Sequence, residues 1–184
     1  ILPRVRREGE QKVAFDYQPV LKGELVELRP LRSEDYDDLY AIAVDPLLWE
    51  QHPENRHEEA VFDEFFRGAV ESGGALIAID AKTQRVIGTS RFHGHDREKS
   101  EVEIGWTFLA RSHWGGTHNG EMKRLMLEHA FQFVDGVVFM VDRQNFRSQR
   151  AVEKIGGTRV GSKPDEDGRD NYVYRLTASA YSTK

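Results

Sequence analysis

Residues 110 to 121 read Ala-Arg-Ser-His-Trp-Gly-Gly-Thr-His-Asn-Gly-Glu, a glycine-bearing stretch between a strand pattern and a helix pattern. Glycines there let a ligand approach the main chain, and the unpaired amides of a helix start offer donors and partial positive charge to an anion. A pyrophosphate fits that description, although strand, glycine turn and helix is also ordinary connecting structure. Neither the Gly-Lys-Ser/Thr of a Walker loop nor Gly-x-Gly-x-x-Gly spacing is present. Asn145 and Ser148 stand three apart at the head of another helix pattern, so they share a face, and both residue types suit a helix cap. Glu101 and Glu103 alternate with apolar residues. They could take up a proton or simply line a solvated face. His93 and His95 share a strand face, but no third ligand stands at metal spacing, and no metal is expected.

Composition narrows what these groups can serve. The 184 residues, 39% hydrophobic, suffice for one core and show no compositional break. We expect an N-terminal arm over 1–20 and a single domain over 21–184. The net charge of -5 comes from 31 acidic and 26 basic residues that are interspersed, which argues against nucleic acid as the main ligand. The absence of cysteine removes disulfides, thiolate metal sites and a cysteine nucleophile. No apolar run is long enough to span a bilayer, and Arg4, Arg6 and Arg7 are not followed by the apolar stretch of a signal peptide. A soluble, cytoplasmic protein without membrane partners is expected, and a homodimer is allowed.

The elements that position these groups follow from periodicity. Leu25 to Arg29 reads as a strand ended by Pro30, and Ser33 caps a helix that Asp45-Pro46 stops. An amphipathic helix over 58–71 carries Val61, Phe62, Phe65, Phe66, Ala69 and Val70. Strands over 75–80, 86–93 and 101–109 form an antiparallel meander, the last with Val102, Ile104, Trp106 and Phe108 on one face. A helix over 121–133, a buried strand over 137–142, a helix over 145–155 and a hairpin turning at 164–168 complete the chain. This order predicts an α/β fold of the mixed α+β kind, with helices flanking a largely antiparallel central sheet.

Val141 to Gly157 reads Val-Asp-Arg-Gln-Asn-Phe-Arg-Ser-Gln-Arg-Ala-Val-Glu-Lys-Ile-Gly-Gly. It resembles the segment of GCN5-related N-acetyltransferases (GNAT), in the ribosomal-protein acetylating or RimJ/RimL-type branch, that carries Asn-x-x-Ser before a helix and ends in Lys-x-Gly-Phe. Ile104-Gly105-Trp106 ahead of Trp114-Gly115 resembles the branch's strand and acyl-CoA loop. Leu28-Arg29-Pro30-Leu31 with Glu34-Asp35 resembles its opening strand and helix. The resemblance runs from about Leu21 to Leu176. It implies the GNAT fold and an enzyme that transfers the acetyl group of acetyl-CoA to a primary amine, such as a protein N-terminus or a small molecule, by direct attack in a ternary complex.

Residue by residue, the resemblance assigns the amides of Gly115, Gly116, Thr117, His118, Asn119 and Gly120, with Trp114, to the cofactor loop. Asn145 would bond the pantetheine arm, and Ser148 would protonate the departing thiolate. Three positions depart from the family pattern. Gly157 stands in place of phenylalanine, Thr117 replaces the second loop glycine, and Ser112 replaces an arginine or glutamine, which leaves Arg111 to reach the phosphates. Acetyl transfer needs a neutral amine, and Glu103 is the preferred base. Trp49, His52 and His93 are candidates for the acceptor wall, although aromatics at that place serve equally as core. Two alternatives stay open: an acyl-CoA-binding or protein-interaction module without turnover, and a transferase using another donor such as succinyl-CoA.

Overall fold

The structure is a computed structural model and describes residues 14–165 and 167–182. Alternation of apolar residues on both faces of β3 (Ala75–Asp80) puts it at the centre of two cores. Leu76 and Ala78 pack with Met122 and Met126 of α3 (Thr117–Ala130), whereas Ala75 and Ile77 pack with Phe62 and Phe66 of α2 (Glu59–Glu71) and Leu39 of α1 (Tyr36–Ala43). A strand covered on both sides is a near-continuous apolar run, as Ala75 to Ile79 are here.

Eight strands form one sheet. Besides β3 they are β1 (Leu21–Lys22), β2 (Val26–Pro30), β4 (Val86–Asp96), β5 (Glu101–Leu109), β6 (Gly136–Asp142), β7 (Thr158–Pro164) and β8 (Asp170–Thr177). Their order is β1-β2-β3-β4-β5-β6-β8-β7, and every neighbouring pair is antiparallel except β5 with β6. The helices α4 (Phe146–Lys154) and α5 (Ala178–Ser182) complete the mixed α/β fold expected from the element order. Among the described residues no helix is long and apolar enough to cross a membrane. Phe15 is buried against Phe92 and Phe133, so the chain already packs before residue 20, while residues 1–13 of the expected arm lie outside the described residues.

Three local differences from the sequence expectation have physical causes. Ser33 opens a short 3-10 turn over Ser33–Asp35 instead of capping the helix. The Asp35 carboxylate accepts two hydrogen bonds from the Arg29 guanidinium, at 2.7 and 2.8 Å, and one from the Arg32 amide at 2.8 Å, so α1 begins one turn later. The helix expected from Glu121 starts at Thr117, because Gly115, at φ +67°, makes the turn and Gly116 is the N-cap. Glu121 is used elsewhere. Its carboxylate accepts the amides of Leu25 and Val26 at 2.6 and 2.8 Å, and a Cβ on Gly23 would collide with it.

The third difference concerns β5. Opposite Ser90, between the Thr89–Phe108 and Arg91–Gly105 pairs, β5 carries two residues, Trp106 and Thr107, and Trp106 has φ +52°. This bulge flips the alternation. Val102 and Ile104 face the α3 core, whereas Phe108 and Trp106 join the α1 and α2 side, so the four do not share one face.

Candidate active site

The parallel ladder between β5 and β6 is short. It pairs Glu101 with Gly136, Val102 with Val137 and Glu103 with Val138, and then stops. Beyond Glu103, β5 continues along β4 and β6 continues along β8. The bulge bends β5 at the place where the ladder ends. Two strand edges thus lose their mutual hydrogen bonds in mid-sheet, at the end of the sheet from which α3 and α4 start.

Main chain dominates the α3 wall of this opening. Gly116 has no side chain to cap the helix, and among the described residues no other group caps it. The amides of Thr117, His118 and Asn119 are therefore free to bind an anion. Gly115, Gly116, Thr117 and Gly120 are exposed, and a Cβ on Gly115 or Gly120 would meet nothing. The side chains of the same stretch point elsewhere. His118 Nε2 lies 3.1 Å from Asp80 Oδ2, and His113 Nε2 lies 3.6 Å from the same oxygen. Amide N–H groups of Thr83 and Lys82 also bind Asp80 and, with His118, hold its carboxyl below the usual carboxylate range. Asp80, His113 and His118 could each offer one ligand atom to a metal, and the His118–Asp80 hydrogen bond also moors the loop to the β3–β4 turn. Arg111, expected at the phosphates, is paired with Asp45 at 2.5 Å. Trp114 donates its indole N–H to Leu109 and carries the Arg147 guanidinium 4.0 Å above its ring.

The α4 wall begins at Asn145. Its side chain caps the helix by accepting the Ser148 amide at 3.1 Å, which realises the capping role that its residue type suggested. Asn145 is buried and Ser148 half-buried. Among the described residues the Ser148 hydroxyl makes no hydrogen bond, so it keeps a proton to donate. Arg147, unnoticed in the sequence, also donates to the Leu48 carbonyl at 3.0 Å and thereby joins α4, the Trp114 loop and the turn after α1.

Between the diverging strands stands a second residue the sequence reading missed. Lys123 reaches from α3 to donate to Thr107 Oγ1 of β5 at 2.8 Å, with its ammonium 5.6 Å from the Phe139 ring of β6. It is buried and, among the described residues, has no carboxylate partner, and burial pulls its pKa down to about 7. In the sequence it sits inside the period of Met122, Leu125 and Met126, where a charge should have been noticed.

Glu101 and Glu103 have separate fates. Glu101 is ion-paired to Arg175 of β8. Glu103, at the last paired position of β5, is half-buried, and desolvation pushes its pKa up to about 7 against the opposing pull of Lys163 and Arg91. Its Oε1 lies 3.3 Å from where a Cβ on Gly105 would stand. Directly across the β4–β5 pair is His93, exposed, with its ring 5.3 Å from that of Trp106.

On the α2 side a pocket of about 680 Å³ is lined by Glu54, Arg56, Phe65, Arg91, Trp106 and Arg169, among others. Neither Trp49 nor His52 lines it. Trp49 is core, donating its indole N–H to Ala43 at 2.7 Å and packing edge-on against Phe108. His52 accepts the Glu54 amide at 3.0 Å, and burial, then Arg56, pull its pKa down to about 4, so it is neutral near neutral pH. Trp49 supports the pocket indirectly, because the Arg56 guanidinium lies 5.5 Å from its ring and 4.3 Å from that of Phe65.

Comparison with known proteins agrees with this architecture. A family model described as an acetyltransferase (GNAT) domain matches residues 26–158. A probable GNAT-family acetyltransferase from Chromobacterium violaceum superposes with a TM-score of 0.82 at 18% identity, covering 99% of this chain and 98% of that one. A T. thermophilus protein described as an acetyltransferase is 28% identical, with a TM-score of 0.74 over 92% of this chain and 95% of its own. A GCN5-related N-acetyltransferase from Brucella melitensis gives 0.78 at 19% identity, covering 94% and 83%. A search of curated proteins returns no match. With the family match extending over β2 to β6 of a sheet that opens between β5 and β6, the chain belongs to the GNAT acetyltransferase family, acyltransferases that move an acyl group from acyl-CoA to an amine.

Proposed function

We propose that the chain transfers the acetyl group of acetyl-CoA to a primary amine by direct attack in a ternary complex, with the RimJ/RimL-type acyltransferases as its nearest branch. The observation that carries this reading is Glu103, a carboxylate without an ion-pair partner among the described residues, with a pKa raised to about 7, at the residue where β5 and β6 part. Acetyl-CoA supplies the electrophile, an acyl group on a thiol leaving group. The free amides of Thr117, His118 and Asn119 fit its pyrophosphate, with Gly115 and Gly116 allowing close approach.

The remaining chemistry falls to this chain's side chains. Glu103 removes a proton from the incoming ammonium, directly or through water, and its pKa suits a base working near neutrality. The Ser148 hydroxyl, free of hydrogen bonds among the described residues, protonates the thiolate and takes back the second proton that the attacking nitrogen sheds as the amide forms. Asn145 holds the first turn of α4, and so fixes where Ser148 points. The acceptor enters from the α2 side, where the pocket beside Arg91 and Trp106 opens. The protein is read as a soluble cytoplasmic enzyme.

Structural neighbours do not choose the acceptor. A chimeric spermidine N-acetyltransferase from Vibrio cholerae and hSSAT shares the fold at 17% identity and a TM-score of 0.66, and a V. cholerae protein named for ribosomal-protein-serine acetylation shares it at 12% and 0.69. The decisive assay is thiol release from acetyl-CoA and succinyl-CoA over a mixed panel of amines. Amine-dependent release with acetyl-CoA supports the proposal. Uptake without release over any acceptor makes the chain a binding module, and release from succinyl-CoA alone changes the donor.

A further inference from the structure

The pocket on the α2 side contains three guanidinium groups, and their partners can be accounted for. Arg56 is ion-paired to Glu54 at 2.9 Å. Arg169 shares Glu54, at 3.2 Å, and reaches Asp167 at 3.7 Å. Arg91 differs. It is only 8% exposed, its Nε is buried without a hydrogen-bond partner, and among the described residues its guanidinium forms no ion pair or hydrogen bond. It is held by rings, 4.5 Å from Trp106 and 5.9 Å from Phe65. Arg56 repels it and Glu103 attracts it from beyond ion-pairing distance. An arginine cannot shed its charge near neutral pH, and stacking on rings offsets only part of the cost of taking a cation out of water. An uncompensated buried cation facing a pocket is therefore matched to an anion that arrives with a ligand.

Position identifies whose anion it is. Arg91 stands on β4 directly opposite Gly105 of β5, whose missing side chain leaves room for the Glu103 carboxyl. Arg91 and Glu103 thus occupy one sheet face, one strand apart, around the same gap. Resting on the assignment of Glu103 as base, we infer that the amine acceptor carries a carboxylate, which Arg91 binds through its planar fork while the amine is presented to Glu103. A carboxylate suits this place better than a phosphate. Glu54, Glu58, Glu64 and Asp167 also line the pocket and oppose a second negative charge, and the guanidinium fork matches two coplanar oxygens. The acceptor class is accordingly an amino acid or a larger amine bearing an acidic group, rather than a polyamine.

The test pairs amino acids with their carboxamides, which keep the amine and lose the charge. With wild-type protein and acetyl-CoA, kcat/KM for the preferred acid is expected to exceed that for its amide by about tenfold or more. In Arg91→Met the ratio should collapse to within about threefold, with acetyl-CoA affinity unchanged, and Arg91→Lys should fall between. Unliganded Arg91→Met should melt at or above the wild-type temperature, since no counter-charge is stranded; a lower melting temperature would make Arg91 a structural residue and overturn the inference. Equal turnover of acids and amides, or a preference that survives Arg91→Met, overturns it too. Should no amine be turned over although acetyl-CoA binds, the catalytic proposal fails on its own. Calorimetric titration with N-acetylated amino acids and their amides then decides the inference separately: tenfold tighter binding of the acids, lost in Arg91→Met, supports it, and no preference refutes it.

Discussion

On the α3 wall of the β5–β6 opening the groups available to a ligand are main-chain amides, exposed and uncapped, whereas on the α2 side they are charged side chains partly or wholly withdrawn from water. The difference is one of how each wall selects. Amides at a helix start accept any suitably placed anion and depend little on side-chain identity. Buried charges are specific and costly, because each must find its counterpart or destabilise the fold. A common donor on one side and a particular acceptor on the other would call for such a division.

The sharpest break of this contrast is Glu103→Gln. It should lower kcat/KM by about 100- to 10,000-fold while leaving the calorimetric affinity for acetyl-CoA within about twofold. The wild-type rate should climb as pH rises through about 7, the value to which burial pushes Glu103, and the variant should lose that rise. Stability should move in the opposite sense. A carboxyl whose folded pKa is raised binds more protons folded than unfolded, so native stability falls as pH rises between the ordinary glutamate value and about 7. Thermal melts should find Glu103→Gln gaining most over wild type above pH 7.

Ser148→Ala comes next, with turnover expected to drop about 10- to 100-fold and acetyl-CoA binding nearly intact. Equal losses in both would move Ser148 from acid to part of the helix start. Lys123→Met tests the floor between the walls. Burial lowers the lysine's folded pKa to about 7, so the unfolded chain holds more protons above that value, and wild-type stability rises with pH from about 7 toward the ordinary lysine value. The variant should therefore be more stable by about 1–3 kcal/mol at pH 6, with a margin that shrinks by pH 9 in denaturant titrations. On the α3 wall effects should be smallest. Gly115→Ala forces an L-residue into φ +67° and should weaken acetyl-CoA by about fivefold through a strain of about 1 kcal/mol. Thr117→Gly should keep or tighten binding, because Thr117 is an exposed first-turn residue whose side chain is not needed there. Marked weakening in Thr117→Gly would remove the loop from the donor site.

The same division explains what could be read ahead of the structure. The element order, the meander of β3 to β5 and the Asn145 cap depend on near neighbours and on periodicity, and they stand where the residues suggested, whereas the glycine stretch is shorter as a loop than expected because its residues from Thr117 on form the first turn of α3. Gly157, where the resembling family has phenylalanine, became intelligible only in three dimensions: a Cβ there would lie 2.5 Å from a Val152 methyl. Likewise nothing local distinguishes Glu101 from Glu103. Arg175, 74 residues away in the chain, neutralises the first and leaves the second.

By itself the sequence determined the order of the elements and the apolar face of α2, since hydrophobic period, glycine placement and capping chemistry act over a few residues. Tertiary structure alone decided the electrostatics. A positive φ at Trp106 turned half of β5 to the other core, and packing left Arg91 and Lys123 buried without carboxylate partners among the described residues. The reason is that desolvation and charge pairing depend on which distant segments close over a residue, and no local pattern encodes that.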